Sequence, residues 1–218
     1  MNLPFTHDQF LDVFAAYNGA LWPLAALLWL VTVAALVALA THRLGPRLVA
    51  ALLGVHWAIS AVYHLVYFVT INPAARLFGA LFLVQAAVFA WFAIDGSGLR
   101  VTWGRRPHQL LSVALCAYAV LYPFLGLATG LQWPRMPAFG VPCPTTLLTV
   151  GLLLGLAPKR HRGVSVIPVL WCLVAGTAAF QLGIRPDLAL YLGAVLLALY
   201  VVFPSALAGH TGPRASAA

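Results

Sequence analysis

Read by polarity, the chain is a succession of apolar runs divided by short gaps that hold most of its charge. Runs 20–41, 48–71, 74–94, 109–129, 143–157, 164–184 and 187–204 meet or approach the roughly 20 residues with which a helix crosses a hydrocarbon core about 30 Å thick. The pattern predicts an all-α polytopic membrane protein of seven transmembrane helices. Run 143–157 is short, and crosses only if Gly140–Pro142 adds a non-helical turn buried among the other helices. Ahead of the first run, Thr6 as N-cap and Gln9 three residues on form a capping box, with Phe5 against Phe10 as a hydrophobic staple. Phe10, Phe14 and Tyr17 then share a face opposite Asp8 and Asp12. Residues 6–18 are therefore read as a short amphipathic helix lying in the membrane interface. Residues 1–208 form one transmembrane domain, and 209–218 a flexible cytoplasmic tail.

The runs show an internal likeness. Residues 71–83 resemble residues 184–197, each joining an inbound to an outbound run through a tight turn that holds Pro73 or Pro186. Trp22-Pro23 and Cys143-Pro144 each open the first helix of a triplet. The layout is three helices, a linker helix and three helices, so both triplets would share one orientation about an axis along the membrane normal.

Composition agrees with a lipid solvent: 63% of residues are hydrophobic and 7% charged, against about a quarter charged in soluble domains. The net charge of +8 is topogenic. No Lys or Arg precedes Arg43, and no basic face with interleaved aromatics could track a phosphate backbone, which excludes a nucleic-acid partner. Counting loops alternately, one side receives Arg43, Arg47, Arg100, Arg105, Arg106, Lys159, Arg160, Arg162 and Arg214, and the other only Arg76, Arg135 and Arg185. Cytoplasmic loops concentrate Lys and Arg, so the N-terminus is expected outside and the C-terminus inside. Without a basic stretch ahead of it, the first run is expected to stay in the mature protein. The odd set Cys116, Cys143 and Cys172 gives no disulfide framework and no paired metal motif.

Polar side chains inside spans are costly and mark candidate sites. One layer, towards the outer side, holds His64, Tyr67, Asn72, Arg76, Cys143, Thr145, Thr146, Gln181 and Arg185, with Gln85 nearer the midplane. Ser60, His64 and Tyr67 share a face of the second helix at helical spacing, and no carboxylate within the spans is available to hold His64 charged. Asn72-Pro73 suits an N-cap followed by proline at N1. Pro142-Cys143-Pro144-Thr145 opens the fifth helix in a similar way, and two such helix starts could hold an anionic or carbonyl-bearing solute. A second layer contains His56, Cys116 and Cys172, an imidazole and two thiols of the kind that bind soft metal ions, or else ordinary core packing. The chain has no Glu, and no nucleophile–base or metalloprotease arrangement is found, so neither an enzyme nor a resident cofactor is expected.

The 3-1-3 layout resembles the SWEET sugar facilitators and the wider PQ-loop group in topology alone; no Pro-Gln dipeptide occurs, so none of their site residues carries over. Tyr63-His64, Ile71-Asn72-Pro73-Ala74-Ala75, Phe78-Gly79 and the segment 139–146, Phe-Gly-Val-Pro-Cys-Pro-Thr-Thr, together resemble an uncharacterised bacterial family of small integral membrane proteins. That resemblance implies a bacterial inner-membrane location. The function expected first is a small secondary transporter or facilitator for a small polar solute, bound by His64, Tyr67, Asn72, Gln85, Tyr118, Tyr122, Thr145 and Gln181, with Pro23, Pro123, Pro144 and Pro168 as kinks. The alternatives are a non-transporting accessory or assembly protein and a soft-metal permease. Gly126, Gly130, Gly151 and Gly155, at small-residue spacing, predict close helix contacts within the chain or in a homo-oligomer.

Overall fold

The computed structural model describes residues 3–95, 99–156 and 162–203. The expected tail at 209–218, and Lys159 and Arg160 of one basic loop, lie outside the described residues. The chain forms α1 (His7–Ala40), α2 (Pro46–Val62), α3 (Ala75–Asp95), α4 (Pro107–Ala128), α5 (Pro142–Leu154), α6 (Val166–Leu182) and α7 (Ala189–Val202). Past Val62, α2 continues through a π-helical turn (Tyr63–Tyr67) and a 3-10 turn (Phe68–Thr70). A second 3-10 turn, Arg185–Leu188, leads into α7. Six of these helical segments are long and apolar enough to cross a membrane. Their outward faces carry Trp22, Leu30, Leu77, Trp91, Phe180 and Val202, all more than half exposed. So much exposed apolar surface on every long helix requires lipid, and the protein is an α-helical membrane protein.

The capping box at Thr6 is present, with Gln9 N–H donating to Thr6 Oγ1 and Thr6 N–H to Gln9 Oε1, and Phe5 stacks on Phe10. So is a short helix ahead of the first span: a kink at the non-helical Leu21, two residues before Pro23, divides residues 7–40 into two helical stretches. Proline removes a backbone bond and crowds the preceding turn. The stretch before the bend buries its apolar face in its own chain: Leu11, Phe14 and Tyr17 pack with Tyr63, Phe68, Val141 and Leu182. Asp8 and Asp12 pair with Arg135 in the loop after α4 at 3.1 and 2.9 Å, and Asn18 Nδ2 donates to the Pro134 and Met136 carbonyls, both at 2.7 Å. This half of α1 thus caps the bundle.

α5 lies at the centre. At 1.5 Å per residue its 13 residues reach only about 20 Å. Irregular backbone extends it at both ends, and every residue from 136 to 156 is buried. Gly140, at φ 88°, sits in the turn before α5; Tyr17 donates to the Phe139 carbonyl and Ser60 to that of Gly140. At the far end Thr102 N–H and the Tyr200 hydroxyl reach the carbonyls of Gly155 and Leu156. Buried polar backbone is tolerated here because side chains satisfy it.

The two triplets are not built alike. Beyond the kink at Leu21 the first helix of one runs on to Ala40 with a long exposed face, whereas that of the other has 13 residues, all buried. Only the turns at Pro73 and Pro186 keep the likeness read from sequence, Pro73 shortly after a 3-10 turn and Pro186 inside one. Of the four prolines expected as kinks, Pro23 and Pro123 lie inside helices. Pro144 and Pro168 fall in the first turns of α5 and α6, where a missing N–H costs nothing. The close glycine contacts are within the chain: a Cβ on Gly151 would lie 2.9 Å from Cys116 N, and one on Gly155 2.6 Å from Val101 Cγ1.

Candidate functional site

α2 carries two buried histidines in opposite situations. His56 Nε2 lies 2.9 Å from Thr32 Oγ1, whose own proton goes to the Leu28 carbonyl. Nε2 is therefore the donor. Nδ1 is left to accept from Thr145 Oγ1 at 3.4 Å. Both nitrogens are satisfied by hydroxyls. Cys116 abuts Gly151 and Cys172 abuts Gly193, and among the described residues no three His, Cys, Asp or Glu side chains gather as a metal site. The layer of His56, Cys116 and Cys172 is thus dispersed into packing.

His64 stands on the π-helical turn. Its Nδ1 faces the Ser60 carbonyl at 3.3 Å, an acceptor, so Nδ1 bears the proton and Nε2 is a bare acceptor with no protein partner. The ring is held edge-on by Phe82 and Trp171, with centroids 4.8 and 5.1 Å away. Gly79 lets α3 come this close, since a Cβ there would meet Leu65 at 2.5 Å. π-turns recur at functional sites because they rotate the side chains that follow out of helical register. Tyr67, expected on the His64 face, instead packs edge-on against Tyr17.

A cavity of about 710 Å³ opens beside His64. The capping half of α1, the π-turn, α3, α6, the α5 start and the Arg185–Leu188 turn wall it. Four buried polar atoms without a protein partner belong to residues that line it: Tyr63 Oη, His64 Nε2, Trp171 Nε1 and Asp187 Oδ1. All four residues are more than nine-tenths buried. Native structures leave few such atoms, and a cluster of them calls for a ligand or water. The remaining walls are mainly apolar and aromatic, and the cavity extends to Leu173 and Val174, exposed on the flank of α6.

Of the residues of the outer polar layer named from sequence, His64, Asn72, Cys143 and Gln181 line this cavity. Asn72 Oδ1 accepts from Ala74 N–H at 3.1 Å in the turn before α3, and Gln181 lies exposed at the rim. The others are engaged elsewhere: Gln85 donates to the Val164 carbonyl at 3.2 Å, Tyr118 to that of Pro186 at 2.8 Å, and Thr145 takes part in the His56 network. Tyr122 is buried outside the cavity. Sequence reasoning missed Trp171 and Asp187. The expectation that no carboxylate is available to His64 is corrected, because Asp187 is 2% exposed and lines the same cavity. An acidic residue directly after Arg185-Pro186, at a helix start, was the available signal.

Across residues 7–211 the chain matches DUF6064, described as a family of unknown function. No curated protein matches it, and neither does any solved structure.

Proposed function

Since the chain belongs to the DUF6064 family, whose function is unknown, we propose its role from its own cavity: it binds a small amphipathic solute within the bilayer and carries it across as a small secondary transporter or facilitator. The observation that carries this reading is that four residues with an unpartnered, buried polar atom line one largely apolar chamber. A few polar groups set in apolar walls, in a volume between about 300 and 1,000 Å³, is the usual make-up of a small-molecule site. Two walls hold bending points that favour movement over permanent storage, the Leu21 break below the α1 cap and the π-turn under Tyr63 and His64.

In this reading the chain crosses seven times, with the N-terminus outside and the C-terminus in the cytoplasm of a bacterial inner membrane. The fully buried 136–156 stretch supports a seventh crossing at α5. The orientation follows the cation bias, with Arg43, Arg47, Arg100, Arg105 and Arg106 on the loops that join α1 to α2 and α3 to α4, at the end opposite the cavity.

Cys143 supplies the test, because it lines the cavity while Cys116 and Cys172 do not. A membrane-impermeant methanethiosulfonate should modify Cys143 from the outside in whole cells and from the inside in inverted vesicles. Labelling from one side alone supports a binding protein that does not transport, and with it the accessory reading. Labelling from neither side removes the site.

A further inference from the structure

Resting on the reading of this cavity as a solute site, we infer that its occupant is a lipophilic organic cation, a primary amine whose ammonium group sits among Asp187, His64 and Tyr63. Three observations converge on that class.

The first is the balance of donors and acceptors. With Nδ1 committed to Ser60, His64 offers only a lone pair at Nε2. Asp187 Oδ1 accepts, and the Tyr63 hydroxyl can accept. A primary ammonium carries three N–H donors and no acceptor, which matches three acceptors. Trp171 Nε1 is the one obligatory donor of the four and is left for a ligand oxygen or a water.

The second is charge. Among the described residues, Asp187 is the only Asp, Glu, Lys or Arg lining the cavity. The ion pairs found among the described residues join Arg135 to Asp8 and Asp12, and none reaches Asp187. A carboxylate buried without a cation is costly, and an ammonium ligand offsets that cost. Tyr118, near the middle of α4, draws the turn inward through its bond to the Pro186 carbonyl. Asp187 is thereby held away from the aqueous surface.

The third is the wall. Phe5, Phe10, Phe14, Phe68, Phe78 and Trp171 turn aromatic surface to the cavity, and ring faces attract cations and repel anions. The start of α5 does not reverse this preference. Pro142 and Pro144 have no N–H, so of the first three residues of that helix only Cys143 offers one. The anion-holding geometry expected from the two helix starts is thus disarmed at α5 by its own prolines.

The test uses the full chain in lipid nanodiscs and three matched fluorescent probes: 2-(1-naphthyl)ethylamine, 2-(1-naphthyl)ethanol and 1-naphthylacetate. The amine should bind at least about tenfold more tightly than the alcohol, with the carboxylate weakest. Asp187→Asn should bring the amine down to about the alcohol's affinity. Should the variant fail to fold, the wild-type ranking of the probes decides alone. Alcohol or carboxylate binding as tightly as the amine, and blocked by methyl methanethiosulfonate on Cys143, overturns the cation and leaves the solute site standing. No binding of any probe, together with an unreactive Cys143, overturns both.

Discussion

Two turns apart on α2, His56 and His64 occupy equally buried positions, yet one is structural and the other faces a cavity. The difference lies in their partners: hydroxyls of Thr32 and Thr145 close both nitrogens of His56, whereas His64 has only the Ser60 carbonyl. The two rings should therefore carry opposite neutral tautomers, Nε2–H in His56 and Nδ1–H in His64. Nitrogen-15 chemical shifts of labelled protein, assigned through His64→Phe, can read this. Identical tautomers would refute the account of the site. His64→Phe keeps a ring between Phe82 and Trp171 and should leave the thermal midpoint nearly unchanged while abolishing binding of the naphthyl amine. His64→Ala should cost about 3 kcal/mol in addition, because it empties an aromatic cluster. Gly140 sets a second limit at this scale. Its φ of 88° disfavours any Cβ by about 1–2 kcal/mol. That Cβ would also lie 2.5 Å from the Tyr17 hydroxyl and displace the bond Tyr17 makes to Phe139. Gly140→Ala should lose about 2–5 kcal/mol by both terms together, and a loss below 1 kcal/mol in detergent unfolding would show that the turn relaxes freely.

Among the elements, α5 depends most on its neighbours. A 13-residue helix is marginal alone and too short to cross unaided. It persists because the other elements enclose it, Trp57 Nε1 binding Thr149 Oγ1 at 2.9 Å from α2 and α4 pressing against Gly151. Gly151→Ala adds a methyl 2.9 Å from Cys116 N and 3.2 Å from Ser112 O. Both are backbone atoms, so the helices must part. About 1–3 kcal/mol of overpacking outweighs the roughly 1 kcal/mol that alanine gains in helix propensity, so the midpoint should fall. A raised midpoint would mean that α4 and α5 approach less closely than described. The same closeness gives Gly151 and Gly155 a role inside one chain, and leaves oligomerisation to other surfaces.

For the whole molecule the decisive question is whether α5 takes the chain across. Reporter fusions at Arg135 and Gly163 bracket it: with seven crossings the first should read outside and the second cytoplasmic. Both on one side would make α5 re-entrant and move the cation cluster after it, undoing the charge asymmetry.

The sequence by itself determined the all-helical membrane class, the seven helical segments, the capping box and staple at Thr6 and Phe5, and the exceptional status of run 143–157 with its turn at Gly140. These depend on hydrophobic length, local hydrogen bonding and backbone torsion, each of which acts over a few residues and can be read along the chain. It also singled out His64 and Asn72. It also named Gln85, Tyr118 and Thr145, which do not line the cavity, because a polar residue within an apolar run looks the same whether it is satisfied or not. Tertiary structure alone decided that. Gln85 is closed by Val164 and Tyr118 by Pro186, partners 79 and 68 residues away. The register shift of the π-turn and the turn that holds Asp187 inside likewise arise from packing between distant segments. Whether a buried donor or acceptor is left open for a ligand depends on every surface folded against it, which no single stretch of the chain contains.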